Sequence, residues 1–546
     1  MTSIGNALRL LVLAAAAVLL AAGLRPLAAQ QSRVVVWPGS DGDGQRRVGD
    51  LVHGRVDDGQ LMRSLGTMLA PALDSLPLVW LLPELRQQRN TGLPWGLNDG
   101  PLRAGRGQNA LLTGGMAIRW RRISAVLVPQ WVAEDNDAFQ VIPFDQRRRP
   151  ARSVWANPFH PLPESVDLPL RFGDEPRTAL LAGQSRLALD VTSGARVGVS
   201  TENRWWGPAV RNALFLSSHA GGFPHLFAEA RRPWRTRAGD WTGQYLLGRL
   251  RESAFFDADR GNDARSLSAF VLTWRMPNDT AGHWPTLGVA RGVMARGGPR
   301  IGTALDAWRD VGRPVSDTLD IGRRGGRDQI TALFARWVLP EARAEAWVEW
   351  ARMEFPSSIR DWMEFPGHSQ AYTVGMQWAR PLRFGRVHVL GELTYAEPGP
   401  SLRVRPASTP YTSAAVPHGW THDGQSLGPA IGPGASSQFA SVEWRRPGWR
   451  VGGSLGRVRW DDGVLFTDLV PAEKREDVTL HAGVHGAFRV GPVVALVEFT
   501  RQARLNYLFQ TYLRDPLTGR TEGVDLANRT LTFTLTPYTR DASHGH

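Results

Sequence analysis

Four short stretches carry residue types that could do chemistry. Gly452 to Gly456 reads GGSLG and matches the G-x-S-x-G pattern of a nucleophile elbow. That elbow needs a strand, a sharp turn and a helix, whereas Ser454 sits inside an alternating stretch, so its glycines read as bends in a sheet wall. Gly105 to Ala110, GRGQNA, fits G-x-G-x-x-A, but a strand pattern follows where a dinucleotide site needs a helix. His481 and His485 share one face of a strand pattern, with no third metal ligand near them in sequence. Ser40 to Gly44, SDGDG, has the Asp-Gly rhythm of a calcium loop without its closing glutamate, and reads as a turn. The chain has no cysteine, which removes thiol nucleophiles, Cys-ligated zinc and disulfides together. We expect no catalytic residues, no metal and no cofactor.

What positions these residues is a repeating strand pattern. From Gln329 the chain runs QITALFARWV, turns through Leu339 to Ala342, and returns as RAEAWVEWAR. On the return arm Ala344, Ala346, Val348 and Trp350 fall on one face. Arg343, Glu345 and Glu349 fall on the other, with Trp347 among them. Successive strand side chains point to opposite faces, so this is one oily and one wet face. The pattern recurs from about Leu78 to Tyr538, giving eighteen strands near 78–90, 110–119, 123–132, 184–192, 195–202, 224–232, 240–251, 265–275, 284–293, 328–338, 342–352, 369–379, 386–396, 436–445, 449–459, 477–488, 492–502 and 528–538. Alternation is clean in several: Tyr372, Val374, Met376 and Trp378 oppose Thr373, Gly375 and Gln377, and Val387, Val389, Leu393 and Tyr395 oppose Arg386, His388, Glu392 and Thr394. It is poor in 195–202, 224–232 and 284–293.

Short turns at 120–122, 193–194, 339–341, 380–385, 446–448 and 489–491 alternate with long loops at 133–183, 203–223, 294–327, 353–368, 397–435, 460–476 and 503–527. Outer-membrane barrels segregate loop lengths in this way. Strands near ten residues also suit a tilted bilayer crossing. Trp120, Trp337, Trp378, Trp444 and Trp449 beside short turns suit an interfacial girdle. After residue 29 no 18-residue apolar run remains, so a membrane-resident chain must cross as a closed barrel. Residues 1–29, with Arg9 before an apolar run and Ala28-Ala29 at its end, read as a cleaved secretory signal. Residues 30–75 read as a small, partly helical periplasmic segment, with helices over 48–56 and 59–68. Residues 76–546 read as an all-β transmembrane barrel of about eighteen antiparallel strands, localised in the outer membrane.

Net charge is +13 and Lys474 is the only lysine. The arginine surplus fits either a codon bias or contact with phosphates and carboxylates, which guanidinium grips in bidentate fashion. Arginines at the short turns fit anionic headgroups or plain solvation. No nucleic-acid partner is expected.

The loop STENRWWGPAVRNALFLSSHAGGFPHL, Ser200 to Leu226, resembles the capsule assembly family called Wzi through Trp205, Trp206, Gly207 and Pro208. Looser likenesses are PELRQQRNTGLP at 83–94, NDGPLRAGRGQN at 98–109 and DLPLRFGD at 167–174. The resemblance implies an 18-stranded outer-membrane barrel with a periplasmic helical element and a lectin-like, non-enzymatic role in holding capsular polysaccharide. In that role the indoles of Trp205 and Trp206 would be platforms for sugar rings, with Arg204 and Arg211 as carboxylate partners. For Trp205 and Trp206 the favoured alternative is a folded-in plug with the pair buried. Arg323, Arg324, Arg403 and Arg405 are further candidates for polymer contact. Other partners in this reading are outer-membrane lipid, lipopolysaccharide and the capsule export machinery. The alternatives are a sugar- or anion-selective porin and an outer-membrane hydrolase resting on GGSLG alone.

Overall fold

The computed structural model describes residues 32–538 apart from 57, 148–149, 161–163, 278, 280, 310, 313–325, 400–408, 467–474 and 511–522. The expected signal at 1–29 lies outside them. The wall is a closed antiparallel barrel of 18 strands. In chain order these are β1 (Leu78–Asn90), β2 (Gly107–Trp120), β3 (Ile123–Leu127 and Gln130–Glu134), β4 (Arg177–Leu181 and Arg186–Asp190), β5 (Ala195–Ser200) and β6 (His225–Ala230, extended by Trp234–Thr236). There follow β7 (Gly239–Arg251), β8 (Ala264–Arg275), β9 (Thr286–Arg296), β10 (Arg327–Leu339), β11 (Ala344–Arg352) and β12 (Gln370–Leu382). The last six are β13 (Gly385–Tyr395), β14 (Ser436–Arg446), β15 (Trp449–Trp460), β16 (Asp477–Val490), β17 (Val493–Leu505) and β18 (Leu526–Pro537). Closure is by β18 on β1, from Thr530↔Asn90 to Leu535↔Leu85. Ser32–Val34 lies parallel to the first residues of β1.

Alternation decides which side chains meet lipid. Leu333, Val348, Val374, Met376, Leu393, Val442, Leu455, Leu480, Val484 and Phe533 are exposed and point outward. Between them, Glu345, Glu349, Thr373, Gln377, Glu392 and Glu443 are buried and point inward. An apolar surface of this extent does not stay in water. Trp120, Trp337, Trp444 and Trp449 are exposed on the same outer side beside short turns, as a girdle at a membrane interface requires. Among the described residues no helix is long and apolar enough to cross a membrane.

Three poorly alternating stretches form strands all the same, because their neighbours supply what the pattern lacks. In β9 the inward Gly292 leaves room for Phe215 and Trp420, and the outward Arg291 is covered by a loop. In β5 Gly198 faces the Phe227 ring. The loop expected at 133–183 is shorter, since Arg177–Leu181 is already wall.

The amino-terminal helices are displaced from their expected places. Ser40 begins a helix instead of a turn: its hydroxyl accepts the Asp43 amide, and α1 runs Asp41–Val52 with Asp41 and Asp43 at its positive end. Over the second expected helix the chain makes a 3-10 turn at Asp58–Leu61 and a two-residue strand, Met62–Arg63. Only then does α2 start, at Leu65–Ser75, with Ser64 and Thr67 forming a capping box. Both helices lie against the inside of the wall at the short-turn end. Asp41 pairs with Arg450 at 2.5 Å, Arg119 bridges Asp74 of α2 at 2.8 Å, and Gly54 abuts Pro340.

Candidate functional site: a carboxylate-held plug in the lumen

The loop from Thr201 to Pro224 turns into the barrel instead of away from it. Trp205 and Trp206 pair as a short strand with Arg63 and Met62, so the plug and the amino-terminal segment are one body. A buried loop must satisfy its backbone amides, and here the wall does so. Glu349 on β11 accepts the amides of Ala209 (2.7 Å) and Leu214 (2.8 Å). Glu392 on β13 accepts those of Val210 (2.7 Å), Arg211 (3.1 Å) and Asn212 (2.9 Å). Between them, Thr373 on β12 donates its hydroxyl to the Asn212 carbonyl at 3.0 Å. Gly207 has φ +113°, and a Cβ there would sit 2.2 Å from the Glu349 carboxylate, so the loop can approach only as glycine.

The side chains complete the fill. Trp205 and Trp206 are 0% and 1% exposed. Arg63 lies over the Trp205 ring at 4.8 Å. Trp206 stacks on Phe215 (5.3 Å, 19°), which meets Trp420 edge-on, while the Trp206 indole donates to Gln244 at 2.9 Å. Arg204 is buried too, paired with Glu202 (3.0 Å) and Glu229 (3.1 Å). Deeper, Glu345 on β11 holds Arg47 of α1 and Arg336 of β10 and accepts from Gln377 at 2.6 Å. Arg47 in turn donates to the Pro208 carbonyl at 2.6 Å.

Of the residues singled out in the sequence, Arg204, Trp205, Trp206 and Arg211 are brought together in this plug. Arg211 alone of the four keeps partial solvent access, with its guanidinium over the Phe439 ring at 3.7 Å. Arg323, Arg324, Arg403 and Arg405 lie outside the described residues. Beside the plug, Ser441, Ser454, His485, Glu498 and Thr500 form a polar strip of inward wall that is also partly accessible. Ser454 stands in mid-strand opposite Ser441 and Gly483, with no turn or helix to make an elbow. Among the described residues no group of three or more His, Asp or Glu is arranged to hold a metal. Sequence reasoning did not single out Glu349 and Glu392 as holders of the plug, although alternation had already set both on the wet face.

The outer loops are tied down separately. The His160 imidazole lies 2.5 Å from the Asp461 carboxylate. Burial works against the imidazolium, but the carboxylate outweighs it and holds the pKa above the ordinary 6.5. A raised folded-state value means this tether contributes fully below about pH 6.5 and is lost as pH rises through the raised value. We therefore expect the 157–160 loop to become protease-sensitive in mildly alkaline buffer. His160→Ala should be equally sensitive at pH 6 and pH 9; unchanged pH dependence in that variant would refute the assignment.

A closed wall, oily outside and polar inside, with its lumen occupied by its own chain, defines an outer-membrane β-barrel protein with an internal plug. Its fold is similar to that of Wzi from Escherichia coli, described as a carbohydrate-binding β-barrel of the outer membrane involved in group 1 capsule assembly: identity is 10%, 92% of this chain and 99% of that one are covered, and the TM-score is 0.56. This is the barrel fold that the resemblance of the Trp-Trp-Gly-Pro segment implied. OccAB4 from Acinetobacter baumannii (7% identity, 83% and 97% covered, TM-score 0.36) and OccK2 from Pseudomonas aeruginosa, solved with glucuronate (10%, 83% and 97%, 0.35), also match. No protein-family model matches the chain. No curated protein matches it either.

Proposed function

We propose that this protein is a non-enzymatic attachment protein of the outer membrane that holds an extracellular, capsule-type polysaccharide at the cell surface. The observation that carries the reading is the plug: five backbone amides are anchored to two wall carboxylates, and this fills space that a through-channel needs. The likeness in fold to a carbohydrate-binding barrel supports the same reading. In this proposal Arg204, Trp205 and Trp206 set the shape of the plug from within, and Arg211 and the outer-loop arginines meet the polymer. Each contact can be weak, because a long polymer engages many copies and gains avidity. The export machinery is a further proposed partner.

Purified protein in detergent is expected to be retained on immobilised acidic exopolysaccharide or on neutral glucan. Passage through both without retention would overturn the proposal. The accessible strip of Ser441, Ser454, His485, Glu498 and Thr500 favours a second reading, a porin for small sugars or anions. Large, stable single-channel conductance in planar bilayers would establish that reading instead.

A further inference from the structure

The outer wall carries an anomaly near its long-loop end. Tyr245, Ser268, Arg291 and Gln329 come from four neighbouring strands, β7 to β10, and all point outward, toward lipid. A guanidinium or amide facing hydrocarbon is costly unless it is covered and bonded. Residues 301–309, from the loop after β9, cover them. Arg291 donates to the carbonyls of Ala307 (2.6 Å) and Arg309 (2.8 Å) and to Gln329 (3.0 Å). Ser268 donates to the Ala304 carbonyl at 3.1 Å and accepts the Ala307 amide, and the Tyr245 hydroxyl donates to Ala304 as well. The segment thus spends its polar backbone on the wall.

Its other side is apolar. Ile301 is 95% exposed, Leu305 54%, Trp308 53% and Val311 61%. Trp308 stacks flat on the outward Phe270 at 4.0 Å and 7°, which makes this surface continuous with the oily wall below. The next loop adds to it: a Cβ on Gly312 would lie 4.0 Å from Phe355, and α3 (Ile359–Glu364) exposes Ile359, Trp362 and Met363. Arg300 and Arg309 stand exposed on the same segment, Arg309 within 3.8 Å of Asp306. Apolar anchors flanked by guanidinium groups match an amphiphile with acyl chains and phosphates.

We infer that residues 301–309 with Val311, together with α3, form a lipid-binding shelf that lies in the outer leaflet and takes the acyl chains of lipopolysaccharide, with Arg300 and Arg309 on its phosphates. The inference rests on the outer-membrane placement and is independent of what the protein holds outside. Water-facing loops have no reason to keep four large apolar side chains exposed; a shelf in lipid does.

The cysteine-free chain makes the test direct. Single variants Ile301→Cys, Leu305→Cys and Met363→Cys, each carrying a nitroxide label, are reconstituted with lipopolysaccharide. Leu333→Cys on the wall serves as the lipid reference and Arg260→Cys as the water reference. Collision with oxygen should exceed collision with a polar nickel complex at all three positions, as at 333. In parallel, Arg300→Gln and Arg309→Gln should each weaken lipopolysaccharide retention by about fivefold at low salt. Nickel-dominated, water-like values at the three sites overturn the shelf. So do labels shielded from both reagents, which would mark a contact with a second copy.

Discussion

Alanine at both Glu349 and Glu392 is expected to turn a barrel whose lumen holds its own loop into an open pore. The two carboxylates accept five backbone amides of the plug, and alanine leaves all five without a partner. Each buried donor stranded in this way costs roughly 1–3 kcal/mol. The wall keeps its own ladder of hydrogen bonds, so the loss falls on the plug and not on the barrel. The loop then finds its cheapest state in water, outside the lumen. Single-channel recording in planar bilayers should show conductance steps absent from the wild type, and cells should become sensitive to large antibiotics. Glutamine at the same positions keeps one acceptor oxygen each and should give an intermediate effect. If the double alanine variant conducts no better than wild type, the plug is not held by these groups.

Glu345→Ala should free α1 from the wall while the backbone pairings on either side of it, at Ser32–Val34 and Met62–Arg63, stay in place. Glu345 stands between two buried guanidinium groups, Arg47 of α1 and Arg336 of β10, and also accepts from Gln377. Removing the shared anion leaves two buried cations facing each other, a change worth about 3–5 kcal/mol. The weaker party moves, and that is α1, which is attached to the wall by side chains alone. Limited trypsin digestion should therefore cut at Arg46 and Arg47 in the variant and spare them in the wild type. A variant with leucine at all three charged positions removes the charges together and should regain protection, because the cost lies in the imbalance of charge. Cleavage that is identical in wild type and Glu345→Ala would remove this network as the clamp.

The wall was legible residue by residue. Val348, Val374 and Leu393 on one face and Glu349, Thr373 and Glu392 on the other follow from a period of two, and each sits where that period puts it. Where the rhythm faltered, as around Arg291 and Gly292, the cause was a partner outside the strand: the following loop at 301–309 on the outer side, and the distant Phe215 and Trp420 on the inner side. The amino-terminal helices were less legible. Asp41 and Gly42 after Ser40 look like turn residues, and only the Ser40 side chain bonded to the Asp43 amide shows that a helix begins there. The candidate site was half visible. The Trp-Trp-Gly-Pro block marked the right loop, and alternation placed Glu349 and Glu392 on the lumen side, but nothing local linked the one to the other.

By itself the amino-acid sequence determined a barrel: the alternation, the strand lengths, the long and short connections and the tryptophans beside the short turns are all local, and backbone geometry converts them into a wall without reference to distant residues. The tertiary structure alone decided which way the loops turn. A loop goes inward only if its buried amides find acceptors and its rings find space. Those are supplied by Glu349, Glu392, Gln244 and Gly292, which stand from 38 to 182 residues away from their partners. Complementarity over such separations is a property of the closed barrel, because closure is what brings the opposing faces within hydrogen-bond reach.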